Sequence, residues 1–241
     1  MEGVATLWVY LRASPLLWLT ATLAAYVVAD GIQKRLGRHP LANPVLMAVL
    51  MLVAILQVSG TPYATYFDGA QFVHFMLGPA TVALAVPLAI KAREVKRLLL
   101  PMVVAVIAGS LTAIVSAVGI AWMLGASRTT LLSLAPKSVT TPIAMAIAQQ
   151  IGGIPGLTAV LVILTGITGA VLVTPLMNAL GLRDYAARGF AAGVASHGIG
   201  TARAFQVNEI AGTFAGLGLA LNGLVTAVLA PLLVHLWQLA W

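Results

Sequence analysis

The chain has 241 residues, 61% of them hydrophobic and 8% charged, with a mean hydropathy of +1.02. Thirteen basic and six acidic residues cannot give an aqueous core its polar shell, which excludes a water-soluble globular domain. The net charge of +7 lies in short Lys/Arg clusters between apolar runs, which points to membrane orientation rather than nucleic acid, and the absence of cysteine excludes disulfides and thiolate chemistry.

A helix crosses a hydrocarbon core with about 20 apolar residues. Five or six full spans are expected on this basis, at 14–31, 44–60, 68–90, 98–124, 157–180 and 209–238. The first apolar run, 16–29, has no following Ala-x-Ala site and leads into Lys34, Arg35 and Arg38, so it reads as a retained span. The third contains Gly78-Pro79-Ala-Thr81-Val-Ala-Leu-Ala-Val-Pro87 and is expected to kink. Thr81 there has a structural role, bonding carbonyls that the prolines leave free, in preference to a ligand contact. Gln71, His74, Thr165, Asn178 and Asn222 read as interhelical hydrogen-bonding residues.

Orientation follows from where basic residues collect, since short cytoplasmic loops hold the excess. Lys34, Arg35 and Arg38 follow the first span and Lys91, Arg93, Lys96 and Arg97 the third, whereas the loop 61–67 has no basic residue. The N-terminus is therefore expected outside. For Arg183 and Arg188 to lie inside as well, the segment 129–150 has to be re-entrant. By the same parity 187–205 is a second re-entrant hairpin entering from the inside, and the C-terminus lies outside. The expected architecture is thus all-α and polytopic, about six full spans plus two opposed re-entrant or broken-helix hairpins. That is the pattern of an inverted-topology repeat with its site at the midplane. The chain is expected to be one membrane domain over 1–241, with N-terminal spans in 1–97 and candidate inverted units in 98–156 and 157–241.

The first interrupted segment is Ser133-Leu-Ala-Pro-Lys-Ser-Val-Thr-Thr-Pro142. Pro142 suits the first turn of a new helix capped by Thr140 or Thr141, running over 143–150 and ending before Gly152-Gly153. Its N-terminal amides and dipole attract a carboxylate or phosphate, and Lys137 adds a full charge beside Ser138. The alternative is a surface loop with Lys137 snorkelling.

The second is Gly193-Val-Ala-Ser-His-Gly-Ile-Gly-Thr-Ala-Arg203. Glycines at 193, 198 and 200 permit an unwound segment, and a helix restarting near Thr201 would again present amide donors. Arg203 either pairs with a substrate carboxylate or holds Glu209 structurally. His197 either takes part in proton coupling or satisfies a carbonyl between packed helices.

Enzyme templates find little. No Gly-x-Ser-x-Gly elbow or Walker loop occurs, the four histidines lack ligand spacing, and a Ser133 or Ser138 nucleophile with Lys137 as base has no evident oxyanion site. No enzymatic activity, metal or cofactor is expected.

These segments, Gly78–Pro87, Ala135–Ala144 with Ile151-Gly-Gly-Ile-Pro155, and Ala195–Ala204, resemble the signature of the LrgB family, and the resemblance covers nearly the whole chain. It implies a bacterial inner-membrane protein of antiholin-like type, affecting murein hydrolase activity and autolysis. It also implies movement of small carboxylates, since a plant plastid relative moves glycolate and glycerate and bacterial relatives are tied to pyruvate uptake. That relative fuses two halves, so a separately encoded LrgA/CidA-like small membrane protein is an expected partner here, besides the bilayer and a homo-oligomer permitted by Gly212, Gly216 and Gly218. Two functions are thereby in view. One is a secondary carrier binding a small carboxylate at Lys137, Ser138, Thr140, Thr141, Ser196, His197, Gly198, Gly200, Thr201 and Arg203, with coupling through His197 or Glu209. The other is a regulator of a holin-type partner that moves no substrate.

Overall fold

The computed structural model describes residues 14–39, 42–76, 79, 82–83 and 92–239. Regular structure among them is helical, and the chain divides into two compact units, Met1–Ala83 and Leu84–Trp241.

In the first unit, α1 (Pro15–Arg35) packs on α2 (Pro44–Ser59) and α3 (Tyr63–Phe75). Local chemistry sets the boundaries of α2. Asn43 Oδ1 accepts from the amides of Val45 and Leu46 at 2.9 and 3.1 Å, Pro44 occupies the first turn, and Gly60 closes the helix at φ 61°. Small residues let α1 and α2 approach, with Ala25 and Ala29 against Ala48 and Leu52. At the other side of α1, Gly69 of α3 lies against the Pro15 carbonyl, and Trp18 meets Tyr66 edge-on at 6.0 Å.

The second unit contains α4 (Ala92–Met123), α5 (Arg128–Leu134), α6 (Thr141–Ile151), α7 (Pro155–Ala179), α8 (Tyr185–Val207) and α9 (Glu209–Leu239). Helices α4 and α9 run parallel in a constant register. Met102 and Val106 cluster with Phe214 and Leu217, Ser110 bonds Asn222, and Ile114 and Val118 cluster with Ala230.

Of the six expected spans, four are helical stretches long and apolar enough to cross a membrane: Pro15–Arg35, Lys96–Met123, Pro155–Ala179 and Glu209–Trp237. Their outward faces carry exposed Val27, Leu100, Val160 and Leu224, which suits lipid as the solvent. The stretch at 44–60 is shorter than a full span, a 16-residue helix of about 24 Å at 1.5 Å per residue, because Asn43-Pro44 and Gly60 truncate it. The expected loop 61–67 is reduced to Gly60–Pro62, since α3 already begins at Tyr63. Thr81, Pro87 and most of the expected 78–87 kink lie outside the described residues, as does the side chain of His74.

Candidate functional site

The first interrupted segment is built from α5, the turn 135–140 and α6. Its open end is pinned to the start of α7 through one serine. Ser133 Oγ accepts from the Ile154 amide at 2.8 Å and donates to the Thr129 carbonyl, while Thr158 Oγ1 donates to the Ser133 carbonyl at 2.9 Å. Gly153 permits this approach, because a Cβ there would fall 2.9 Å from the Ser133 nitrogen.

From that fixed point the turn runs inward. Ser138 and Val139 are buried, and α6 starts at Thr141 with Thr140 as N-cap, Pro142 in its first turn and no side-chain cap bond. Helix α6 then returns to Gly152, which ends it at φ 88°. Lys137 is half-buried. Its Nζ donates to Ser138 Oγ at 3.3 Å, and among the described residues no carboxylate lies within ion-pair distance of it.

The second interrupted segment is α8 itself. Asp184 caps it through the Ala187 amide at 2.8 Å, and the helix proceeds until Ser196 (φ −133°, ψ 16°) and His197 (φ 41°, ψ −137°) break it. The chain folds back there. A Cβ on Gly200 would lie 2.8 Å from the Ala192 carbonyl oxygen, whereas eight residues of continuous helix would separate the two by about 12 Å. Further from the tip, Gly189 and Ala192 line one crevice with Arg203, Ala204 and Val207. Thr201 Oγ1 donates back to the His197 carbonyl at 2.8 Å in the first turn of the returning helix.

This tip docks into the middle of α7. His197 Nε2 is 2.8 Å from the Val162 carbonyl, and the ring and the Ser196 hydroxymethyl fill notches at Gly166 and Gly169. Both glycines are required, since a Cβ on Gly166 would fall 2.6 Å from His197 Cε1 and one on Gly169 would collide with Ser196 Oγ. His197 is the one site in the hairpin where a residue with a side chain adopts positive φ, at a cost of about 1–3 kcal/mol that the surrounding contacts must offset.

The two tips meet at Asn222, half-way along α9. Asn222 Nδ2 donates to the Ser138 carbonyl of the first hairpin at 3.0 Å and to the Val194 carbonyl of the second at 2.9 Å. Its Oδ1 accepts from Ser110 Oγ of α4 at 2.5 Å and from Thr226 Oγ1 at 3.2 Å. Lys137 and His197, one from each hairpin, are close enough to interact electrostatically. The hairpins approach from opposite ends of α7, the first from the Ile154 end and the second from the Asp184 end.

The LrgB-like family matches residues 22–236. The chain belongs to the LrgB-like family. The holin-like protein CidB of Staphylococcus epidermidis is 31% identical to it over 228 residues, covering 95% of this chain and 98% of the relative. The antiholin-like protein LrgB of Bacillus subtilis is 27% identical over 223 residues, covering 92% and 96%. The holin-like protein CidB of Staphylococcus aureus is 27% identical over 222 residues, also covering 92% and 96%. No solved structure matches. Family and helices together make this a multi-pass membrane protein.

Within this LrgB-like chain, Asn222 links the carbonyl of Ser138, whose hydroxyl meets Lys137, to the carbonyl of Val194, just ahead of Ser196 and His197. Two details of the second hairpin differ from expectation. The break falls on Ser196 and His197 rather than on the glycines, and helix resumes at Gly198 rather than near Thr201. Gly193 and Gly200 serve packing instead, against the Ala215 and Ala192 carbonyls.

Arg203 sits six residues beyond the tip, about 9 Å of helix, where Nη1 donates to Gln206 Oε1 at 3.3 Å. Glu209 is exposed in the first turn of α9. Asn178 accepts from Arg188 Nη2 at 2.9 Å, so Arg188 anchors α8 to the end of α7 besides adding to the basic loop. A cleft of about 550 Å³ between Trp122, Arg128, Leu131 and Trp237 lies at the C-terminal ends of α4 and α9, away from both tips.

Sequence reasoning gave Asn222 only a packing role and did not single out Ser110, Gly166 or Gly169. The readable signal was a hydroxyl cluster and a lone asparagine in two apolar spans, with two glycines three residues apart in a third.

Proposed function

We propose that this chain is a carrier of small carboxylates, of the glycolate, glycerate or pyruvate class, bound between two opposed re-entrant hairpins in the bacterial inner membrane. The observation that supports it best is the half-buried Lys137 ammonium with one hydroxyl partner and, among the described residues, no carboxylate within ion-pair distance. A lone charge in such a position is costly unless an anion shares the site. The uncapped N-terminus of α6 adds about half a positive charge beside it.

Ser138, Thr140 and Thr141 from the first hairpin and Ser196, His197, Gly198, Gly200 and Thr201 from the second are the proposed contacts. Arg203 belongs to the approach to the site, with proton coupling through His197 or Glu209. The opposed hairpins suit an inverted-topology repeat that exposes a midplane site to each side in turn.

In proteoliposomes, Lys137→Ala and Arg203→Ala are expected to abolish glycolate, glycerate and pyruvate counterflow. Unchanged counterflow in either variant removes that residue from the pathway.

The names of the relatives favour a second reading, a regulator that restrains a holin-type membrane partner and so controls murein hydrolase activity and autolysis. It rests on similarity to named proteins, whereas the carrier reading rests on geometry and the family resemblance. Melting the purified protein with millimolar pyruvate or glycolate separates the two, because a ligand raises the stability of a fold that binds it. A rise lost in Lys137→Ala supports the carrier; no rise with any of these carboxylates supports the regulator.

A further inference from the structure

We infer that Asn222 is a positioning residue that latches the two hairpin tips into one unit, so that a change at Lys137 on the first is transmitted to Ser196 and His197 on the second. A side-chain amide has two N–H donors and two acceptor lone pairs. At Asn222 both donors are used, by the Ser138 and Val194 carbonyls, while Oδ1 faces the Thr226 hydroxyl and the Ser110 hydroxyl, whose single proton is shared with the Val106 carbonyl at 2.6 Å; the residue is fully buried. The two donors go one to each hairpin. Oδ1 faces α4 and the next turn of α9, and a flip would set it against the two hairpin carbonyls and lose both of their bonds.

The hairpin carbonyls have a reason to need it. Ser138 sits in the turn between α5 and α6, and the break at Ser196–His197 carries Gly198 away from the place where its amide would meet the Val194 carbonyl in a continuous helix. One side chain therefore satisfies both interruptions. Neither hairpin can be displaced from the other while both of its donors stay engaged. Only the use of this latch in transport rests on the carrier reading; the mechanical link does not.

Gly198 supplies a reporter on the second hairpin. A Cβ there meets nothing within 4 Å, and the chain is free of cysteine. In purified full-length protein carrying Gly198→Cys, the rate of modification by a charged methanethiosulfonate reagent measures opening of the tip. Asn222→Leu is expected to raise that rate on the order of tenfold, as loss of two hydrogen bonds implies. Asn222→Asp, of the same shape, is expected to raise it in the same direction. Thr226→Val, which keeps both donors, is expected to stay within about twofold. Lys137→Gln is expected to change the rate while Asn222 is present and to leave it unchanged on the Asn222→Leu background.

An unchanged rate in both Asn222 variants overturns the latch. So does an equal rise in Thr226→Val, or an equal Lys137→Gln effect on the two backgrounds. Absence of any pyruvate effect on the melting of the unsubstituted chain counts against the carrier reading alone and leaves these rates where they are.

Discussion

His197 Nε2 lies 2.8 Å from the Val162 carbonyl oxygen, and a Cβ on Gly166, one turn along α7, would fall 2.7 Å from that same nitrogen. The carbonyl of a continuous helix thus serves a second donor because the residue one turn on has no side chain. Gly169 repeats the arrangement for Ser196 a further turn along, so α7 carries a two-glycine socket for the tip of α8.

Gly166→Ala and Gly169→Ala are each expected to destabilise the protein by about 1–3 kcal/mol, as overpacking of a filled contact does. Gly156→Ala in the same helix, where a Cβ meets nothing within 4 Å, is the control and is expected to cost nothing. Thermal melting in detergent measures all three.

Replacement of His197 separates its ring from its backbone. Alanine loses the bond to Val162 and keeps the positive φ of 41°, whereas glycine loses the bond and relieves the strain. His197→Gly is therefore expected to be more stable than His197→Ala by about 1 kcal/mol. In an ordinary helix the order is the reverse, with glycine worse by about 1 kcal/mol, so the sign alone tests the geometry.

Ser133→Ala removes both the acceptor of the Ile154 amide and a donor to Thr129. A loss of about 1–2 kcal/mol is expected. Hydrogen exchange adds a local readout, since the Ile154 amide is expected to lose protection while amides in the middle of α9 keep theirs.

In the first unit, Asn43→Ala is expected to cost about 1 kcal/mol through loss of the α2 cap, and Asn43→Ser to recover most of it. Urea or heat unfolding followed by circular dichroism measures the difference. A cost as large for serine as for alanine would mean that Asn43 acts by some means other than capping.

The parts that were legible in the sequence are those fixed by near neighbours. Thr140, extended at the N-cap position, Pro142 and Gly152 set the start and end of α6 through backbone, proline and left-handed glycine preferences that operate within a few residues. Spans α1, α4, α7 and α9 were legible as long apolar runs.

The site of the α8 break was not legible, because its cause is remote. Glycines at 193, 198 and 200 suggest local freedom, yet the distorted residues are Ser196 and His197, held by Val162, Gly166 and Gly169 of another helix. Asn222 is likewise a single amide in a largely apolar run, and apart from Thr226 its partners stand 28, 84 and 112 residues away. The early start of α3 is hidden for a different reason: Tyr63–Phe67 is aromatic and polar enough to resemble a loop on hydropathy alone.

The parallel register of α4 and α9 gives the latter helix a fixed phase. One residue inserted ahead of Asn222 would advance the rest of α9 by about 1.5 Å and turn it by about 100°. The lipid-facing side of α9, where Leu224 and Val228 are exposed, tolerates such a screw motion. The amide does not, because the same turn points it away from Ser110 and from both interrupted segments at once. The length of chain between Glu209 and Asn222 is thus constrained to the single residue, in a helix whose composition alone would suggest indifference to it.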